Sequence, residues 1–166
     1  MIKFFLGSLG RKAILAEAMP EDFSIYQPKF YSNIHYEVPE EKVNITGDLS
    51  ILYDMKQLER IDYYNLNPYS AYNYGDKALI HVKNNNVNDG KRLLVIKNSY
   101  ANPMTFFLST GVDKMDIIDL RLFNGSLQTY IDKYEPDTVL FIVHTEWLTL
   151  YRPIYSNDHT GFWDFR

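Results

Sequence analysis

Ser99, His144, His159, Asp119 and Arg121 are the residues whose types and spacing could do covalent chemistry. A serine hydroxyl becomes a useful nucleophile only when a base takes its proton, and histidine is the commonest base. Ser99 stands where the apolar run "RLLVIK" ends and "NPMTFFLSTG" begins, a strand-to-helix corner. Unpaired backbone N–H groups at a helix start, here among residues 99–102, can hold an oxyanion. The same spacing also suits a serine that caps the helix and does no chemistry. His144 follows a second apolar run, "TVLFIV", and so can reach the same rim. It equally fits a histidine that leaves a sheet and bonds a backbone group. His159 lies in "SNDHTGFWDF" beside Asp158, and sequence neighbours of this kind usually point apart. Asp119 and Arg121 could pair with each other, or Arg121 could hold an anionic group. His35 and His81 fall in strand-like segments and read as structural. No histidine pair has ligand spacing, and "GSLG" at 7–10 lacks the Lys-Ser/Thr of a phosphate loop, so no metal and no cofactor are expected.

Positioning these groups falls to the elements around them. "RLLVIK" is continuous enough for a strand covered on both faces. Pro103 suits a first helical turn and Gly111 a C-terminal cap. "MDIIDL", a helix in "NGSLQTYIDKY" and the strand "TVLFIV" come next, giving β-α-β-α-β over 91–143. Such units predict a parallel sheet with helices on its faces, whose ligands bind beyond the carboxyl ends of the strands. Segments 97–102, 119–121 and 144–147 all reach that edge. Residues 1–90 are less regular. A short helix is expected within 8–19, and edge strand and loop in "EDFSIYQPKFYSNIHYEVPE", which holds Pro28 and Pro39. Helical spacing in "DLSILYDMKQLERIDYYNL" suggests a helix capped by Asp48. "NLNPYSAYNYGD" reads as an exposed loop, "KALIHVKN" as a strand, and Asp89-Gly90 as a hairpin or tight turn.

A chain of 166 residues suggests one domain, 1–166, with enough length for a core. The formal charge of −4 and the lack of a basic run argue against a nucleic-acid partner. With no cysteine, disulfides and thiolate chemistry are excluded. After Lys3 the apolar run is only Phe4-Phe5-Leu6, too short for a signal peptide, and no segment approaches a membrane span. The 14 tyrosines hint at a surface that contacts sugar or protein, although tyrosine also fills half-buried sheet positions.

Residues 93–143 resemble the C-terminal half of the DHHW family, bacterial SGNH-hydrolase-like proteins related to those of alginate O-acetylation. The resemblance rests on "IKNSYAN" followed about twenty residues later by "IDLR", and more loosely on "GDLSILYDMKQLERIDYYN". It implies a flavodoxin-like or SGNH-like α/β fold, a three-layer arrangement with helices on both faces of a parallel sheet. It places Ser99 at the nucleophile position, with Asn98, Tyr100 and Asn102 in the same motif and Arg121 in the second, as oxyanion or substrate contacts. It further implies an acyl-ester hydrolase or O-acetyltransferase acting on cell-surface carbohydrate, an extracytoplasmic location, and a further N-terminal portion. Two departures stand out. The family's Asp-His-His-Trp segment, which supplies acid and base, is not found in 1–98, and Asn98 replaces an aspartate. His144 or His159 would then have to serve as base. The alternative is a module that binds glycan or protein without catalysis, through the Tyr-rich loop 63–74 and Trp147 or Trp163.

Overall fold

The computed structural model describes residues 2–5, 21–59 and 67–144. Strands β1 (Ile2–Phe5) and β2 (Glu21–Phe23) pair antiparallel as a small two-stranded sheet. The main sheet has six strands: β3 (Ile34–Val38), β4 (Val43–Gly47), β5 (Leu79–Asn84), β6 (Arg92–Lys97), β7 (Lys114–Asp119) and β8 (Thr138–Ile142). Their spatial order is β4-β3-β5-β7-β6-β8. Helices α1 (Asn102–Leu108) and α2 (Leu127–Tyr134) link the last three strands.

The sheet is mixed. β6 lies between β7 and β8 and runs parallel to both, as the β-α-β-α-β reading expects. β5 is antiparallel to β7 and to β3, and β3 is antiparallel to β4. The all-parallel expectation therefore holds only for the second half of the chain. No described helix joins β3 to β4. Their link is a single 3-10 turn closed by Lys42 in the left-handed region (φ 55), and so short a link permits only an antiparallel return.

Alternation along β6 divides the core. Leu93 and Val95 join a cluster with Tyr36, Ile80, Val82, Met115, Ile117 and Phe106 of α1. Leu94 and Ile96 join another with Ile118 and Leu127, against which Tyr130 and Ile131 of α2 pack. This explains why "RLLVIK" carries no polar face.

The first half corrects several expectations. β3 is not an edge strand: it lies between β4 and β5, because Pro28 and Pro39 fall outside it and leave every strand N–H free to bond. Residues 48–58 hold two 3-10 turns, Leu49–Leu52 and Met55–Leu58, rather than one helix. The Tyr53 bridge to Tyr72 and the Asp54 side chain, which accepts from the Lys56 N–H, interrupt the helical ladder. Asp48 does not cap its turn with its side chain. Its carboxylate instead accepts from the N–H and hydroxyl of Ser32. Segment 67–76 is not a loose surface loop, for Pro68, Ala71, Tyr72 and Asn73 are buried. Tyr72 and Tyr53 stack around Phe106, with ring centroids 5.5 and 4.3 Å from it. The hydrogen-bonded turn after β5 falls at Asn85–Asn86; Asp89 is a bend whose carboxylate accepts from the Lys91 N–H at 3.0 Å, with Gly90 at φ 76, and no hairpin forms, since β7 separates β5 from β6. Helix α1 ends at Leu108, and the Gly111 N–H closes the following turn onto the Leu108 carbonyl. The expected helix within 8–19 lies outside the described residues.

Candidate active site

β6 ends at a lysine, and Asn98 builds the corner after it. The Asn98 side chain accepts from the Tyr100 N–H at 3.0 Å, and its carbonyl accepts from the Ala101 N–H at 3.1 Å. The resulting 3-10 turn, Ser99–Ala101, runs directly into α1, with Pro103 in the first turn where its missing N–H costs nothing. An asparagine can build this turn as well as an aspartate, because only a side-chain acceptor is needed. Asn98 is buried, whereas Ser99 and Tyr100 are exposed.

Ser99 thus sits on the open side of the corner. Of the backbone N–H groups at 99–102, three are spent inside the turn: Tyr100 and Ala101 on Asn98, and Asn102 on the Ser99 carbonyl. The Ser99 N–H and hydroxyl make no hydrogen bond among the described residues. The oxyanion donors expected across 99–102 therefore narrow to the Ser99 N–H.

Sheet register brings His144 toward the same corner. Lys97 and Ile142 are the last paired residues of β6 and β8, and the Asn98 N–H reaches the Ile142 carbonyl at 3.4 Å. Ser99 and His144 each lie two residues past that pair, beyond the ends of the two parallel strands. The His144 ring meets the Tyr100 ring edge-on, with centroids 5.9 Å apart. His159, Trp147 and Trp163 lie outside the described residues.

Behind the corner is a buried ionic group. The Lys97 ammonium, with no exposed surface, donates to Asp76 at 3.0 Å and to Asp119 at 3.4 Å. Arg121 binds Asp119 through both Nε, at 2.9 Å, and Nη2, and its Nη2 also reaches Asp76 at 2.6 Å. Of the two alternatives for Arg121, the ion pair with Asp119 is the one formed. Hydrogen bonding to Asp119 comes first in raising the Arg121 guanidinium above its ordinary range, against burial, with the charges of both aspartates adding. Burial pushes the Asp76 carboxyl up, but Lys97 and Arg121, with hydrogen bonds from Lys97 and Asn102, outweigh it and hold the group below its usual value. Asn102, the last of the motif residues, donates through its amide to Asp76 at 2.9 Å.

Asp76 was not singled out by sequence reasoning, which placed it in a loop. A signal did exist: a lysine closing an apolar strand needs a buried counter-charge, and Asp76 and Asp119 are the carboxylates at that rim.

Solved structures of other proteins share this fold. Bacillus cereus PatB1 bearing a sulfonyl adduct superposes with a TM-score of 0.63 at 22% identity, over 89% of this chain and 46% of that one. A second PatB1 structure gives 0.59 at 22% identity, over 89% and 48%. A DHHW family protein from Eubacterium siraeum gives 0.65 at 20% identity, over 87% and 46%. The chain has the fold of a DHHW family protein. It spans about half the length of these neighbours. No protein-family model and no curated protein matches it. No described helix is long and apolar enough to cross a membrane.

Proposed function

We propose that this DHHW-like chain carries the nucleophile of an SGNH-type acyl-ester hydrolase or O-acetyltransferase that acts on cell-surface carbohydrate outside the cytoplasm. The observation that carries this reading is the corner itself: an exposed serine with its N–H unspent, two residues past the end of β6, and a histidine two residues past the end of parallel β8 whose ring meets that of the adjoining Tyr100. The reading extends to the fold, with α1 and α2 as the two outer layers of a three-layer arrangement.

In the proposed reaction the Ser99 hydroxyl gives its proton to a histidine, His144 or His159, and its oxygen attacks the acyl carbon. The negative charge that forms on the carbonyl oxygen is met by the Ser99 N–H. Collapse breaks the ester bond, and the histidine returns the proton to the departing sugar oxygen. Water or a second sugar hydroxyl then takes the acyl group from Ser99. Tyr100, Asn98 and Arg121 shape the corner, and Tyr100 is the one most open to substrate.

A sulfonyl fluoride tests this directly, since a solved neighbour carries a sulfonyl adduct. Intact-mass measurement is expected to show one adduct, mapped to Ser99 by peptide analysis. Ser99→Ala should abolish it. His144→Ala should slow it by about a thousandfold if His144 is the base, as loss of a triad member does; an unchanged rate with a slow His159→Ala variant would move the role to His159. No adduct on the wild type would remove the nucleophile reading.

One observation favours the non-catalytic alternative. Tyr100, Met104 and Phe107, at 65, 48 and 43% exposed, present large apolar side chains beside the corner. Spaced aromatic surface of this kind suits stacking on a sugar or a protein. In the described part of the Tyr-rich loop 63–74, Tyr72 is core, whereas Tyr69 and Tyr74 touch Phe23 and Tyr36 and remain 42 and 39% exposed; Tyr63 and Tyr64 lie outside the described residues. Glycan binding by Ser99→Ala, lost in Tyr100→Ala, would favour this alternative.

A further inference from the structure

We infer that Asp76 is the positioning residue of the Ser99 corner, an inference that rests on reading Ser99 as the nucleophile. Three segments converge on its carboxylate. Lys97 precedes Ser99 by two residues and bonds Asp76 at 3.0 Å; Asn102 follows by three and bonds it at 2.9 Å; Arg121, from the turn after β7, bonds it at 2.6 Å. The corner is therefore held on both sides by one side chain.

The backbone that delivers Asp76 is built for that placement. Asn73, Tyr74 and Gly75 all have positive φ, at 56, 56 and 87°. Two consecutive non-glycine residues in the left-handed region carry strain, which persists only where surroundings over-determine it. Here they do. The Asn73 amide donates to the Asn102 carbonyl at 3.1 Å and to the Thr105 hydroxyl at 2.8 Å. The Asn73 N–H bonds the Leu52 carbonyl, and its own carbonyl accepts from Tyr36. Segment 73–76 thus grips the start of α1 twice, through Asn73 and Asp76. The Asp76 side chain keeps 28% of its surface exposed, so it does not lie beneath the corner as core but beside it.

Asp76→Asn keeps the shape and removes the charge. Two readouts decide the matter: hydrogen–deuterium exchange of the peptide covering 97–103, and the pH profile of Ser99 sulfonylation. Both are expected to change, with exchange at 98–102 faster by about tenfold, as loss of a charge-assisted bond implies. Asp113→Asn serves as comparison. Asp113 is buried and bonds the Gly90 N–H and Lys83 near the start of β6, far along the strand from Ser99. A loosening of 97–103 no greater in Asp76→Asn than in Asp113→Asn would overturn the inference, as would an unchanged corner. If the wild type takes no sulfonyl group, the nucleophile reading fails, and exchange alone decides whether Asp76 holds the corner. Should Asp76→Asn not fold, the charge-neutral pair Asp76→Asn with Lys97→Met carries the same exchange test.

Discussion

Lysine and histidine behave differently in this sheet, and their partners explain why. Lys97 is fully enclosed, and two carboxylates face its Nζ. His81 is half-buried in mid-strand on β5, directly opposite Asp116 of β7, whose carboxylate bonds its Nδ1 at 2.7 Å. Tyr130 of α2 donates to the other oxygen of that carboxylate, and Glu37 of β3 pairs with His81 on the far side. The hydrogen bond to Asp116 comes first in raising the His81 pKa above 6.5; burial opposes it, and the charges of Asp116 and Glu37 add to the rise. A raised histidine pKa stabilises the fold in full below the unfolded value and less as pH climbs through the folded value. The contribution from His81 should therefore be intact below about pH 6.5 and fade above it. Urea unfolding at a series of pH values is expected to show this decline, and His81→Gln should flatten it. An identical slope in both proteins would remove His81 as the cause. Reading His81 as structural suited its strand position, but its partner 35 residues away was not visible without the pairing of β5 with β7.

Elements were legible where local signals agreed with each other. For α2, Ser126 accepts from the Thr129 N–H as a cap should, and the apolar residues Leu127 and Ile131 fall on the side facing Leu94 and Ile118. Its far end is less well made. Glu135 closes the helix at φ 51, a conformation that suits glycine, and its side chain is 79% exposed with only a long 3.9 Å approach to Arg92. Glu135→Gly is expected to raise stability by about 0.5–1 kcal/mol, since relief of the left-handed backbone outweighs an exposed ion pair. Denaturant titration checks this, and a loss of stability would show that the Arg92 contact matters more than the backbone. In 48–58 the local signals conflicted. Helical apolar spacing competed with Asp54 and with a cross-chain bridge from Tyr53 to Tyr72, and the tertiary contact prevailed.

At the scale of the whole molecule, β8 ends the main sheet among the described strands, and β4 ends the other side. On β8, Val139 is 37% exposed. An apolar edge strand is a template for pairing with another chain. Val139→Lys is expected to reduce light scattering during refolding from urea while changing equilibrium stability by less than about 0.5 kcal/mol. Scattering equal to the wild type would show that this edge does not drive association.

What the sequence determined by itself was the parallel unit β6-α1-β7-α2-β8 and the serine at its corner, because strand hydrophobicity and Pro103 are local and point the same way. Residues 93–143 also carried the resemblance that the DHHW-like fold bears out. Tertiary structure alone decided the rest. The antiparallel pairing of β5 with β3 and β7 depends on contacts between distant segments. The placement of Asp76 depends on a loop whose shape is set by Tyr36, Leu52, Asn102 and Thr105. A carboxylate in a Tyr- and Asn-rich segment reads as solvated until the fold shows the buried lysine it must face. Charge burial is a property of the assembled sheet: the lysine that closes "RLLVIK" signals the need for a counter-charge, but only the fold shows which carboxylates meet it.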